Sequence, residues 1–132
     1  MHKTLSQVQA ILVQAGAEDV SIKYTAGAPS SVAFSILTAH GLRWYTLPAN
    51  SEAVYATLVQ QKLAPRFVTP EHAKRVAWRI IKDWLEAQLA IIEAKMVALD
   101  QVFLPYQETA DGRTVYELYR ENQAALPAPK SL

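Results

Sequence analysis

The sequence predicts an α+β domain in which a three-stranded antiparallel meander packs against a long central helix and shorter helices. Two observations support this fold class. Three short segments alternate apolar and polar residues between turn residues, namely "VSIKY", "SVAFSILT" and "LRWYTL". Segments with apolar residues at helical spacing precede and follow them, which gives the order α-β-β-β-α-α-α.

Length and composition indicate one globular domain. The chain has 132 residues, of which 51% are apolar and 19% are charged, and its formal net charge is +1. This composition is typical of a chain with a real core rather than of a disordered one. We expect a single α+β domain over residues 1–125 and a flexible C-terminal tail over residues 126–132.

The first helix has recognisable start and stop signals. Thr4 and Gln7 have the spacing of a capping box, and Gly16 is a natural terminator. The apolar residues between them, at helical spacing, are Leu5, Val8, Leu12 and Ala15.

The three strands allow a prediction of register. If Tyr24 faces Val32 and Ile36 faces Trp44, each strand directs alternate residues to the core. The core face then collects Val20, Ile22, Tyr24, Val32, Phe34, Ile36, Leu42, Trp44 and Thr46. The other face collects Ser21, Lys23, Ala33, Ser35, Leu37, Arg43, Tyr45 and Leu47, and it is either solvated or a contact surface.

Further helices are predicted after the strands. Asn50 or Ser51 caps a helix over residues 52–62. Thr69 is a capping hydroxyl, and the proline and acid that follow it favour a long helix over residues 70–99.

Two shorter helical segments follow the long helix. Asp100 is placed to cap a short turn before "FLPY". Thr114 and Glu117 have the spacing of a capping box and open the last short helix.

The long helix segregates its apolar and charged residues. Trp78 and Trp84 fall on two adjacent apolar stripes, while Arg75, Arg79 and Lys82 share an arc with acidic residues. The spacing of four predicts ion pairs for Glu71 with Arg75, Arg79 with Asp83, and Lys82 with Glu86. We therefore expect both tryptophans to be buried, and a core helix with a solvated charged face.

The apolar surface of the long helix is large for a domain of this size. A sheet of five- or six-residue strands is only about 20 Å long, so it covers part of such a helix. The surplus predicts self-association, most simply as a two-fold homodimer in which long helices pack together.

The C-terminal half also resembles a known group of proteins. The run "VAWRIIKDWLEAQLAIIEAKMVALDQVFLPY", followed by "DGRTVYELY", resembles small uncharacterised proteins encoded in bacteriophages and mobile elements. The resemblance implies a cytosolic accessory role and carries no catalytic residues with it.

Two surfaces are candidates for contact with nucleic acid. Lys23, Arg43 and Tyr45 line the second sheet face, where an aromatic ring among cations is typical of single-strand binding. The arc of Arg75, Arg79 and Lys82 offers phosphate contacts. These candidates favour a non-enzymatic nucleic-acid-associated accessory protein.

The alternative function is protein interaction or inhibition of a host protein through an apolar surface. The segment "QVFLPYQ" carries Phe103 and Tyr106, which form a docking patch if they are exposed. Folding back onto the core is the competing interpretation for both residues, because each aromatic side chain buries a large area.

The sequence offers little for catalysis. It contains no cysteine, no nucleophile elbow and no glycine-rich phosphate loop, and none of its three histidines pairs with a second ligand at helical spacing. We therefore predict no catalytic residue, no metal site and no cofactor. The N-terminal segment does not resemble a secretory signal, and no apolar run is long enough to span a bilayer, so we expect a cytoplasmic protein without a membrane partner.

Overall fold

The computed structural model describes residues 2–122 of the protein. The elements are α1 His2–Gln14, β1 Asp19–Thr25, β2 Ala28–Thr38, β3 Gly41–Pro48, α2 Ser51–Gln60, α3 Pro70–Glu93, α4 Leu99–Phe103 and α5 Val115–Glu121. β2 is the central strand and pairs antiparallel with β1 and β3, so the α+β class and the predicted meander are confirmed. The predicted tail, residues 126–132, lies outside the described residues.

Both predicted registers are wrong. Val32 lies opposite Ile22 and not Tyr24, which is exposed beyond a bulge, but this shift of two residues keeps Val20 and Ile22 on the inner face.

The register of β3 is wrong by one residue. The prediction placed Trp44 opposite Ile36, but Trp44 lies opposite Ser35. The cause is the length of the turn. Gly41 already pairs with Thr38 as the first residue of the strand, so the turn contains only the two residues between them.

This shift changes which side chains of β3 enter the core. Because side chains alternate along a strand, a slip of one residue exchanges the two faces completely. Tyr45 and Leu47 are therefore buried with the inner face of the sheet, whereas Leu42 and Trp44 are exposed on the outer face.

The predicted start signals of α2, α3 and α5 are confirmed, but Asp100 does not cap α4, which begins one residue earlier with Ala98 as its N-cap. The Thr69 hydroxyl accepts a hydrogen bond from the His72 amide at 3.1 Å, and Pro70 occupies the first turn of α3. Thr114 and Glu117 form the predicted capping box at the start of α5. Each cap satisfies backbone amides that would otherwise lack a partner within the helix.

The predicted end of the long helix near Leu99 is wrong. α3 stops at Glu93, and Lys95 then adopts a positive φ of 63°. The Met96 amide donates to the Ile91 carbonyl at 3.1 Å, which closes a Schellman motif. A lysine is an uncommon residue in this conformation, so the sequence gives no sign of the stop.

The core lies between the inner face of the sheet and helices α1 and α3. Trp78 is fully buried, and its indole nitrogen donates to the Pro29 carbonyl at 3.3 Å. Trp84 is half-buried and packs edge-on against the Phe103 and Tyr106 rings. The prediction that the tryptophans lie on the core side is thus confirmed, with Trp84 at the margin.

Only part of the apolar surface of α3 is covered. The stripe that contains Trp78 and Leu85 faces the core, while Ile80 on the neighbouring stripe is 55% exposed. None of the described helices has the length and apolar content that a bilayer span requires.

The inner face of β3 contains one polar group without a partner. The Tyr45 hydroxyl is buried and, among the described residues, accepts and donates no hydrogen bond. Burial raises the pKa of this hydroxyl above its ordinary value, and the negative charge of Asp100 acts in the same direction.

Candidate nucleic-acid interface

The structure does not bring together the three residues predicted to line the second sheet face. Lys23 lies on the outer face, opposite Ser31, and is exposed. Arg43 and Tyr45 belong to the inner face because of the shifted register. Tyr45 is fully buried and stacks on Phe34 with ring centroids 5.4 Å apart, so its ring is not available to a base.

The outer sheet face instead presents an apolar patch that the sequence prediction missed. Leu37 lies opposite Leu42, and the two side chains are 66% and 43% exposed. Trp44 on the same face is 37% exposed. Leu37 was predicted on this face, but Leu42 and Trp44 were predicted inside. The two-residue turn that moves them outside has no clear signal in "TAHGL".

The three basic residues of the predicted arc on α3 differ in their ion pairing: Lys82 is paired, whereas Arg75 and Arg79 are not paired within the described residues. The Lys82 ammonium lies 3.4 Å from a Glu86 oxygen and 3.8 Å from an Asp83 oxygen, so its charge is already neutralised. Arg75 and Arg79 are exposed, and neither has a carboxylate partner within residues 2–122. Of the three ion pairs predicted along this arc, only that of Lys82 and Glu86 is formed.

An exposed aromatic ring lies next to these arginines. The 3-10 turn Pro65–Phe67 precedes α3 and leaves Phe67 37% exposed. The Arg66 guanidinium lies over the Phe67 ring, 4.7 Å from its centroid. The two prolines in "LAPRFVTP" are typical of a linker, and nothing in a linker's composition shows which surface Phe67 will lie against.

The turn and the helix form one continuous surface. The rings of Phe67 and His72 are in contact, with centroids 5.5 Å apart. Arg75 lies three residues after His72, and Arg79 lies four residues after Arg75. The three side chains therefore lie along one side of α3. We call this surface, comprising Arg66, Phe67, His72, Arg75 and Arg79, the arginine patch.

The charges of the arginine patch have no evident structural use. Arginines that stabilise a fold generally do so through a carboxylate, and Arg66, Arg75 and Arg79 have none within the described part of the chain. A guanidinium without an internal partner has its donors free for phosphate oxygens.

A recess between α1 and α3 contains acidic side chains, whereas the arginine patch contains basic ones. This recess has a volume of about 630 Å³ and is lined by Ile11, Leu89 and Ile92 together with Glu86 and Glu93. Glu86 is paired with Lys82 and Glu93 adds a negative charge, so the recess offers no attraction to an anionic ligand and does not extend the arginine patch.

The residues predicted to form a protein-docking patch are largely enclosed. Phe103 is fully buried and contacts the rings of Phe34, Tyr45 and Trp84. Tyr106 is half-buried and packs against Trp84. Both side chains have folded back onto the core, since that location removes most of their apolar area from water.

Arg113, near α5, differs from the arginine patch because it is ion-paired with Asp111 and Glu121 and stabilises the fold. The Arg113 guanidinium donates to Asp111 at 2.6 Å and 2.9 Å and also to Glu121. The bonds from Arg113 hold the pKa of the Asp111 carboxyl well below its usual range. The Thr109 hydroxyl donates to the same carboxylate, so the loop before α5 is tied together.

No metal site is apparent in the described part of the chain. Within residues 2–122 there is no cluster of three or more histidine, aspartate or glutamate side chains able to hold an ion. His40 lies in the turn between β2 and β3, and His72 contacts Phe67.

Comparison with known proteins adds no assignment. No family model matches the chain, and no curated protein or solved structure is significantly similar to it.

Proposed function

We propose that this protein is a non-enzymatic accessory module that binds nucleic acid through the arginine patch. The observation that carries the proposal is the juxtaposition of one exposed phenyl ring with three arginines that have no carboxylate partner within residues 2–122. Proteins that bind single strands combine cations that contact the backbone with aromatic rings on which bases stack. The arginine patch supplies both elements on adjacent surfaces.

Each side chain of the patch has a distinct role in this proposal. Arg75 and Arg79, one helical turn apart, contact phosphate oxygens. Phe67 stacks on an unpaired base, and Arg66 extends the stack because its guanidinium already lies over the ring. The bases of a duplex are not open to such stacking, so the patch favours single strands.

The proposal implies weak binding without sequence preference. The formal net charge of the chain is only +1, so attraction is local and does not extend over the whole surface. A contact made mainly to phosphates and base faces reads little sequence. The phage or mobile-element context remains a prediction that would fit such an accessory role.

The test is the salt dependence of binding to a fluorescently labelled oligothymidylate, measured by anisotropy. Two phosphate contacts, those of Arg75 and Arg79, predict a slope of log affinity against log salt of about −1.4, which is about a 7-fold loss between about 50 mM and about 200 mM salt. A duplex of the same length should bind more weakly. Absence of binding at the lower salt concentration, or binding that does not respond to salt, rejects the proposal.

A matched pair of variants controls for net charge. Arg75→Gln removes one positive charge inside the patch, and Lys95→Asn removes one at the opposite end of α3. Asparagine tolerates the positive φ of Lys95, so the second variant should fold normally. We expect Arg75→Gln to reduce the salt slope by about 0.7 and Lys95→Asn to leave it unchanged.

A second candidate function rests on the outer sheet face. Leu37, Leu42 and Trp44 form an exposed apolar patch, which is the kind of surface that docks an apolar partner protein. Such an association responds little to salt. Leu37→Ser with Leu42→Ser should abolish it and leave oligonucleotide binding intact, whereas loss of oligonucleotide binding in this variant would point to the sheet as the nucleic-acid surface.

A further inference from the structure

The two edges of the sheet differ in how far they are covered. At the β3 edge, the Glu108 amide donates to the Trp44 carbonyl at 2.8 Å and Gln107 bridges to Tyr45. At the other edge, β1 has only β2 as a neighbour within the described residues. An uncovered edge strand is a template for pairing with another strand.

The residues of β1 are arranged symmetrically in chemical character about Ser21. Asp19 and Lys23 lie two residues before and after it and are both exposed. Val20 and Ile22 lie one residue before and after it, pack against the core and are only half-buried. From Asp19 to Lys23 the order is therefore charged, apolar, polar, apolar, charged in either direction, and the two charges have opposite sign.

We propose that two copies of this protein associate through β1, in an antiparallel register centred on Ser21, to form one continuous six-stranded sheet. In this register Asp19 of each copy lies opposite Lys23 of the other, which creates two cross-strand ion pairs. Val20 of each copy lies opposite Ile22 of the other, so both become more fully buried. A two-fold axis through the Ser21 pair generates these contacts from one surface, as closed homodimers require.

The charge pattern is specific for a second copy. A lysine on an edge strand and a bulge, here between Lys23 and Tyr24, are features that discourage indiscriminate pairing. The bulge confines regular pairing to the segment from Asp19 to Lys23. In the proposed register the lysine meets a carboxylate and not another lysine, so the same feature that repels other strands favours this one.

The inference is independent of the arginine patch, which lies on other elements. It also places the association at a different surface from the long-helix packing predicted from the sequence. A five-residue strand pair buries little area, so we expect a weak dimer that forms at high protein concentration.

The test uses two charge-reversal variants, alone and mixed. Sedimentation velocity measures dimerisation from about 10 μM to about 1 mM protein. Lys23→Asp places carboxylates opposite carboxylates in the homodimer, and Asp19→Lys places ammonium groups opposite each other. Each variant alone should dimerise about tenfold or more weakly than the native protein. An equimolar mixture of the two should form a heterodimer, because every cross-strand pair is then of opposite sign.

The double variant Asp19→Lys with Lys23→Asp restores opposite pairs within the homodimer and should dimerise like the native protein. The Asp19 carboxylate also accepts a hydrogen bond from the Ser35 hydroxyl at 3.1 Å, so circular dichroism should accompany each measurement. Lys23→Asp does not disturb this bond, so its result counts even if Asp19→Lys misfolds. A native protein that is monomeric at the highest concentration, or dimerisation that Lys23→Asp does not weaken, overturns the proposal.

Discussion

Two arginine-containing surfaces of this protein differ in how their charges are used. Arg113 is held by Asp111 and Glu121, and this cluster fixes the loop before α5. The guanidinium groups of Arg75 and Arg79 project from α3 without a carboxylate partner in the described part of the chain. The difference shows that arginine content alone says little about function, because only an arginine without an internal partner can readily exchange water for a phosphate.

The largest expected effect is the loss of oligothymidylate affinity when both α3 arginines of the patch are reversed in charge, which should leave the fold intact. Arg75→Glu combined with Arg79→Glu replaces two attractive phosphate contacts by two repulsive ones. We expect the affinity for oligothymidylate to fall by about 100-fold at low salt, and the salt slope to decrease by about 1.4. Anisotropy titrations measure both quantities.

The same double variant should unfold at nearly the native denaturant concentration. Both side chains are exposed, and exposed substitutions usually change stability by less than about 0.5 kcal/mol. A large loss of stability would show that the two arginines support the fold, and the contrast with Arg113 would disappear.

A smaller effect is expected from the aromatic ring. Phe67→Ala removes the stacking surface and should weaken binding to single strands about tenfold, with the salt slope unchanged. Phe67→Tyr keeps an aromatic face and serves as the control. An affinity of Phe67→Ala equal to that of the native protein would show that no base stacks on this ring.

The Arg113 cluster should show the reverse pattern, with a change in stability and none in binding. Asp111→Asn removes a carboxylate whose pKa is held below its usual range, so the free energy of unfolding should fall modestly at neutral pH. Urea denaturation of the native and variant proteins measures the difference, while oligothymidylate affinity should be unaltered.

The pH dependence of this difference has a defined sign. A carboxyl whose folded pKa is lowered stabilises the protein above its unfolded pKa of about 3.9, and this contribution is lost as the pH falls toward the folded value. The difference in stability between the native and Asp111→Asn proteins should therefore shrink progressively as the pH falls below about 4. A gap that stays constant in acid would show that the ion pair contributes nothing.

The smallest effect concerns the buried Tyr45 hydroxyl, which has no hydrogen-bond partner in the part of the chain that the structure describes. Tyr45→Phe removes the hydroxyl that lacks a hydrogen bond and leaves the packing against Phe34 and Phe103 in place. We expect the free energy of unfolding to stay constant or rise by up to about 1 kcal/mol. A loss of more than about 1 kcal/mol would indicate that the hydroxyl is hydrogen-bonded, for example to a buried water.

Local signals in the sequence predicted much of the fold. Thr69 and Thr114 are followed by the residues that complete a helix cap, and both caps are formed. The alternation of apolar residues identified all three strands, and the helical spacing placed Trp78 on the core side. Each of these signals operates within a few residues of the chain.

The parts that were missed depend on single residues or on distant contacts. One residue of turn length reversed the faces of β3 and moved Tyr45 inside and Trp44 outside. A lysine in a conformation typical of glycine ended α3 early. Phe67 joins the candidate site only because its turn packs beside His72, which no local pattern encodes.

The most direct test of the proposed function locates the bound strand on the surface. Backbone amide shifts of isotopically labelled protein can be followed by NMR during titration with oligothymidylate at low salt. We predict that the perturbed amides cluster at Arg66, Phe67, His72, Arg75 and Arg79. Perturbations centred on Leu37, Leu42 and Trp44, or the absence of any perturbation, would contradict a nucleic-acid contact at the arginine patch.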